Sequence, residues 1–206
     1  NRAVDRLGYP LVLKPLDGNH GKGASINITN WKDALKGLAA AQKYSEAVMV
    51  ERYIQGFDFR LLVINKKFVA GRKGTPAMVT GDGVSTIKQL VDRANKDPRR
   101  GVGHEKALTR IKIDQHTKNI LKAKELTTQS VLPEGVVLYL KSTANISTGG
   151  TAPDVTDLVD PYNILMAERI AGLVGLDICG IHVMTTNIAI PLNEAGGAVL
   201  EVNAGP

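Results

Sequence analysis

Apolar and polar positions along the chain alternate in short blocks that change period several times. Leu11–Val12–Leu13 is an apolar run ending on Lys14–Pro15, and alternation resumes at Ala24–Ser25–Ile26–Asn27–Ile28. Between them lies Asp17–Gly18–Asn19–His20–Gly21–Lys22–Gly23, so the pattern predicts strand, polar glycine-rich loop, strand. Leu7–Gly8 ahead of Pro10 reads as a helix end. Asn30 is placed to cap a helix from Trp31 to about Tyr44, with Trp31, Ala34, Leu35, Leu38, Ala39 and Ala41 as its apolar face. Val48–Met49–Val50 reads as a buried strand, and Leu61–Ile64 with Phe68–Gly71 as a second hairpin.

Further along, Thr86 caps a helix to about Asn95, and Asp97–Gly103 is a loop broken by Pro98, Gly101 and Gly103. A short helix is predicted over 114–121, a turn at 132–135, a strand over 136–141 and a small-residue loop at 145–150. Asp160–Pro161 opens a helix to about Val174, with Ile164, Ala167, Ile170, Ala171 and Val174 buried and Gly175 as its stop. Strands are expected over 178–185 and, after the Gly196–Gly197 turn, over 198–202.

Composition narrows the class. A hydrophobic fraction of 43% and a charged fraction of 22% suit a soluble globular chain. The net charge of +6 favours anionic ligands, but aromatics at 4% argue against base stacking and so against a nucleic-acid binder. Cys179 is the sole cysteine, which excludes an intrachain disulfide, and its apolar setting suggests a buried thiol. No secretory signal or long apolar span is visible, so a cytoplasmic location is expected. The first and last residues read as cuts through a longer polypeptide.

The glycine loop is where chemistry enters. Backbone N–H groups exposed by glycines, beside Lys14 and Lys22, suit a polyphosphate. Ala24–Ser25 follows Gly23 where a Walker loop needs Lys–Ser/Thr and a helix. An ordinary hairpin turn fits the same residues.

Three separated segments resemble the ATP-grasp superfamily of carboxylate–amine ligases: LVLKP before the glycine loop, Val50 to Asp58 (VERYIQGFD), and Glu201–Val202–Asn203. Within it, KPLDGNHGKG, the GDG turn, NKDPRRGVGHEKAL and TANISTGGTAPDVTD resemble the cyanophycin synthetase family. The resemblance implies an α+β fold of two lobes holding ATP between them, without the first subdomain. The lobes are expected at 1–57 and 58–206, the second with an irregular insertion at about 97–130.

By the same resemblance, Lys14 holds nucleotide phosphates and the loop Asp17, Gly18, Asn19, His20, Gly21, Lys22, Gly23 covers them. Glu51 and Ile54 contact adenine, Arg52 covers the base, and Asp58 accepts from ribose hydroxyls. Lys141 reaches the phosphates, and Ser147, Thr148, Gly149 and Gly150 present hydroxyls and amides to a carboxylate substrate. Arg99, Arg100 and His104 close over the site and stabilise charge on the transferred phosphoryl group. Glu201 and Asn203, two apart on a strand, would hold Mg2+. The family's third ligand is an aspartate in a Gly-Ile-Asp-Val context, where this chain has Gly180–Ile181–His182–Val183. His182 in that place lowers the site's negative charge and favours Mn2+ or another borderline metal.

The implied reaction is phosphorylation by ATP of the terminal carboxylate of an aspartyl peptide, then attack by the amino group of aspartate. A Mur-ligase-like domain is expected C-terminal to these residues, with homo-oligomerisation, no membrane and no nucleic acid. Residues 1–206 alone are expected to turn over weakly. A glutathione-synthetase-like amino-acid ligase and a catalytically impaired nucleotide-binding module are the alternatives.

Overall fold

A computed structural model describes residues 2–17, 22–103 and 105–204. Two compact units divide the chain, 1–55 and 56–206.

The first unit begins with α1 (Arg2–Leu7), followed by β1 (Leu11–Pro15), β2 (Ser25–Ile28), α2 (Trp31–Ala41) and β3 (Val48–Arg52). β1 lies between β2 and β3 in an antiparallel sheet. Leu11 and Leu13 point into a core with Ile28 and Ala34, while Val12 and Lys14 share the opposite face. Asn30 caps α2, its side chain accepting from the Asp33 N–H, as its position before the helix predicts. The buried face of α2 departs from the expected one. Ala34, Gly37 and Ala41 are buried, whereas Trp31 and Leu35 are exposed. The helix seats its small residues because Gly37 comes hard against Ile28 and Ser25 of β2, where a Cβ would meet Ile28 Cδ1 at 3.0 Å. β3 is half-buried, not buried.

The second unit is built on β4 (Phe57–Ile64) and β5 (Lys67–Gly74), a hairpin longer at both ends than the apolar run suggested. Then follow β6 (Met78–Thr80), α3 (Ile87–Ala94), β7 (Arg100–Gly101), β8 (Leu108–Thr109), α4 (Gln115–Ala123), β9 (Val137–Tyr139), α5 (Pro161–Val174), β10 (Ile178–Thr185) and β11 (Ala198–Ala204). The main sheet runs β11-β10-β4-β5, antiparallel throughout. One face is core: Phe59, Leu61 and Val63 of β4 and Cys179, Ile181 and Val183 of β10 pack with Ala167 and Ala171 of α5. Adjacent residues of a strand face opposite sides, so Asp58, Arg60, Gly180 and His182 turn away from that core. Val174 is exposed, and Asn163 takes a buried place on α5 that the apolar pattern did not mark. Its amide donates to the Ile188 and Ile190 carbonyls and accepts from the Leu192 N–H, satisfying the return loop to β11.

A second core joins α3 and α4 to the β6–β9 pair through Ile87, Leu90, Val91, Leu121, Leu138 and Leu140. Thr86 and Gln89 form a reciprocal capping box at α3. The stretch expected as an open loop at 97–103 instead contains β7, paired parallel with β8. Among the described residues, no helix is long and apolar enough to cross a membrane.

Candidate functional site

In the first unit, Lys14 and Glu51 stand diagonally across β1 and β3, since Val12 is the register partner of Glu51. Lys14 Nζ lies 2.8 Å from Glu51 Oε2, both side chains more than a third exposed. That openness leaves the lysine accessible to a stronger anion, because an ion pair in contact with water is weak. Arg52 is exposed and Ile54 half-buried. Asp17 accepts a hydrogen bond from Ser45 Oγ at 3.2 Å, and Lys22 is exposed. Gly23 has φ +74° and so little room that a Cβ would come 2.6 Å from Tyr44 Cδ2. Gly18, Asn19, His20, Gly21 and His104 lie outside the described residues.

On the non-core face of the main sheet, one register row crosses all strands: Arg72 on β5, Arg60 on β4, His182 on β10 and Glu201 on β11. Arg60 Nε is 3.7 Å from Asp58 Oδ1, and its Nη1 is 3.3 Å from Glu201 Oε1. His182 inserts between those two acids, Nε2 2.6 Å from Asp58 Oδ2 and Nδ1 3.4 Å from Glu201 Oε1. The Nε2 approach is a close polar contact without hydrogen-bond geometry, and that nitrogen is buried. Asp58, expected at ribose hydroxyls, is thus engaged with Arg60 and His182 within the sheet. Asn203 Nδ2 donates to Glu201 Oε1. Burial pushes the Glu201 carboxyl up, but Asn203, His182 and Arg60 outweigh it and hold the group below its usual range.

Beside this row is a cavity of about 290 Å3 lined by Arg60, Arg72, Ala70, Gly71, Asp154 and Gly180, among others. Arg72 makes no ion pair among the described residues, and its backbone bridges to Asp154. The cavity lining combines small residues with two arginines and one aspartate, Asp154. Neither Arg60 nor Arg72 belongs to the expected site set. The alternation Asp58–Phe59–Arg60–Leu61, a charge at every second place of an apolar strand, was the available signal.

The central loops engage several of the expected residues within the fold. Arg100 is 8% exposed, and its Nη1 donates to the carbonyls of Thr109 at 2.7 Å and Gly149 at 2.9 Å. It therefore clamps β8 to the small-residue loop through that nitrogen. Arg99 is exposed and forked onto Asp97, which it holds down at about 2. Lys141 is not an exposed strand-end lysine: its side chain is 5% exposed and bonds Asp114 Oδ2 at 2.6 Å.

Ser147 to Gly150 do not present their donors outward. Ser147 Oγ and N–H donate to Asn145 Oδ1, and Thr148 Oγ1 and N–H to the Asn145 carbonyl. The Gly149 and Gly150 amides donate to the Ile146 and Asn145 carbonyls. The glycines are required by packing. Gly149 has φ +96°, and a Cβ on Gly150 would lie 2.6 Å from the Thr75 carbonyl oxygen.

Glu201, Asn203 and His182 do not fit a Mg2+ ion. Mg2+ takes oxygen donors near octahedral geometry at about 2.0–2.1 Å. Here an imidazole fills the space between the carboxylates and Arg60 faces Glu201. Among the described residues, no group of three or more His, Cys, Asp or Glu side chains is arranged to hold a metal.

No family model matches the chain. The cyanophycin synthetase of Synechocystis sp. is 49% identical over 201 residues, covering 97% of this chain and 23% of the relative. The glutathione biosynthesis bifunctional protein of Listeria innocua is 35% identical over 198 residues, covering 95% of this chain and 26% of the relative. The crystal structure of a bifunctional glutathione synthetase from Pasteurella multocida superimposes with a TM-score of 0.71 at 31% identity, covering 95% of this chain and 27% of that one. The chain thus spans about a quarter of the length of these relatives. The chain has the ATP-grasp fold, and over 97% of its length it is similar to a segment of the cyanophycin synthetases.

Proposed function

We propose that this chain is the nucleotide- and carboxylate-handling part of an ATP-dependent carboxylate–amine ligase that adds aspartate to the end of an aspartyl peptide. The observation that carries the reading is the cavity at Arg60 and Arg72, open on the sheet face opposite the core. An arginine offers parallel N–H donors matched to a carboxylate, and Arg72 makes no ion pair among the described residues, although it shares the cavity with Asp154. In this reading Arg72 binds the peptide's terminal carboxylate and Arg60 orients it; on the first unit, taken by itself, Lys14 binds nucleotide phosphate. Glu51 releases Lys14 to the phosphate and accepts from the adenine amino group.

A carboxylate oxygen bonds to the γ-phosphorus of ATP, the bond to the bridging oxygen breaks, and ADP leaves. The amino nitrogen of aspartate then bonds to the acyl carbon, phosphate leaves with the transferred oxygen, and the nitrogen loses a proton. Positive charge from Arg60 and Arg72 neutralises the carboxylate so that two anions can approach. No step is assigned to a metal ion, because the side chains around Glu201 do not make an oxygen set.

ATP turnover by the protein tests the reading. ADP and phosphate release is expected to require an aspartyl peptide together with aspartate. A second reading, ligation of γ-glutamylcysteine to glycine, is favoured by the superposition on the bifunctional glutathione synthetase. Turnover with γ-glutamylcysteine and glycine but not with aspartyl peptide selects it.

A further inference from the structure

The His182 region holds more charge chemistry than carboxylate binding uses. Two acids on different strands, Asp58 and Glu201, face one another across His182. The imidazole lies against both, and the Arg60 guanidinium, from the same strand as Asp58, reaches past β10 to Glu201. Glu201 Oε1 alone receives Arg60, Asn203 and, more loosely, His182.

From this arrangement we infer that the sheet face at Asp58 and Glu201 is closed to a divalent cation by the protein's own side chains, His182 occupying the space and Arg60 supplying the charge. The physical reasons are steric and electrostatic. A cation close enough to bond oxygens of both acids would overlap the ring, whose nitrogens already lie 2.6 Å and 3.4 Å from them. A guanidinium 3.3 Å from Glu201 Oε1 would repel it. An imidazole nitrogen is also a poor exchange for a carboxylate oxygen toward Mg2+, a hard ion. The alternation that brings the row together places His182 on this face, so its ring cannot turn into the core without a change of register. Where the family resemblance implies an aspartate at position 182 as a third metal ligand beside Glu201 and Asn203, this chain has an imidazole lying between Asp58 and Glu201.

Mn2+ alone, with no nucleotide, is the probe, and loss of the free-ion electron paramagnetic resonance signal on titration is the readout. Sites that survive Glu201→Gln lie elsewhere and are subtracted. The unsubstituted protein is expected to show no Glu201-dependent Mn2+ uptake up to millimolar metal. His182→Asp, which removes the ring and adds a carboxylate, is expected to take up about one Mn2+ at least about tenfold more tightly, since ligand charge tunes affinity. His182→Asn removes the ring without adding charge and gives a smaller gain, which keeps the test decisive if the aspartate variant folds poorly. Glu201-dependent Mn2+ binding by the unsubstituted protein overturns the inference, and so does the absence of any gain in two folded His182 variants. Because Mn2+ is the only ligand added, failure of the ligase reading leaves these outcomes unchanged.

Discussion

Two pairs of long cations stand in the second unit, and they differ in what answers them. Arg100 and Lys141 are buried and met by fixed partners: two backbone carbonyls for the one, Asp114 for the other. Arg60 and Arg72 stand on a sheet face beside an open cavity, the first shared between two acids and the second paired with no acid among the described residues. A cation whose donors are spent inside the fold holds structure together. One whose donors face a cavity is available to a ligand. Arg100 and Lys141 lie next to the motif-like segments, yet the cation that lines the cavity with no acid paired to it among the described residues is Arg72.

The contrast can be broken at each member. Arg100→Met leaves the Thr109 and Gly149 carbonyls without their charged donor, and hydrogen bonds to charged groups are worth about 1.5–3 kcal/mol each, so a loss of about 3 kcal/mol is expected. Urea unfolding measures it, and an unchanged midpoint would show that the loop at 145–150 is held by other contacts. Arg72→Ala is expected to raise the KM for the carboxylate substrate about tenfold, or about 1.4 kcal/mol, leaving the KM for ATP and the thermal midpoint in place. Equal changes in both KM values would break the separation between ligand-facing and structural cations.

Smaller effects sharpen it. Burial pushes the Asp114 carboxyl up, but the Lys141 hydrogen bond, the Thr117 N–H and the lysine charge together hold it down at about 2, from an ordinary 3.8. A carboxyl depressed in the folded state contributes stability that is full above its unfolded value and lost as pH falls through its folded value. The Asp114–Lys141 contribution should therefore be complete above pH 3.8 and fall away towards pH 2. Asp114→Asn should flatten that part of the acid unfolding curve, and an unaltered curve would remove the pair from the account. Arg99→Ala should leave the urea midpoint unchanged, because Arg99 is exposed and its partner Asp97 is only two residues away; a clear drop in the midpoint would give this pair a structural role.

Local signals were legible. Asn30, Thr86 and Asp160 cap the helices that follow them, because a capping side chain and the amide it accepts from are only two or three residues apart. The α+β class and the order of strands and helices could be read for the same reason, since each element carries its own period. What failed was long-range. Trp31 and Leu35 looked like core until α2 seated Gly37 against β2, a choice of face set by backbone approach. The parallel β7–β8 pair has almost no pattern, each strand being two residues long. Site residues were legible as types in place, not as partners. Lys141 meets Asp114 from 27 residues away, and Arg60 meets Glu201 from 141 away. Ser147 to Gly150 read as outward donors because nothing local announces that Asn145 consumes them.

The most direct test follows an oxygen atom. An aspartyl peptide with both oxygens of its terminal carboxylate labelled with 18O is incubated with ATP, aspartate and the protein, and the released phosphate is analysed by mass. The account predicts that each phosphate carries one labelled oxygen, released together with ADP. Unlabelled phosphate with all label retained in the peptide, or AMP in place of ADP, would contradict it.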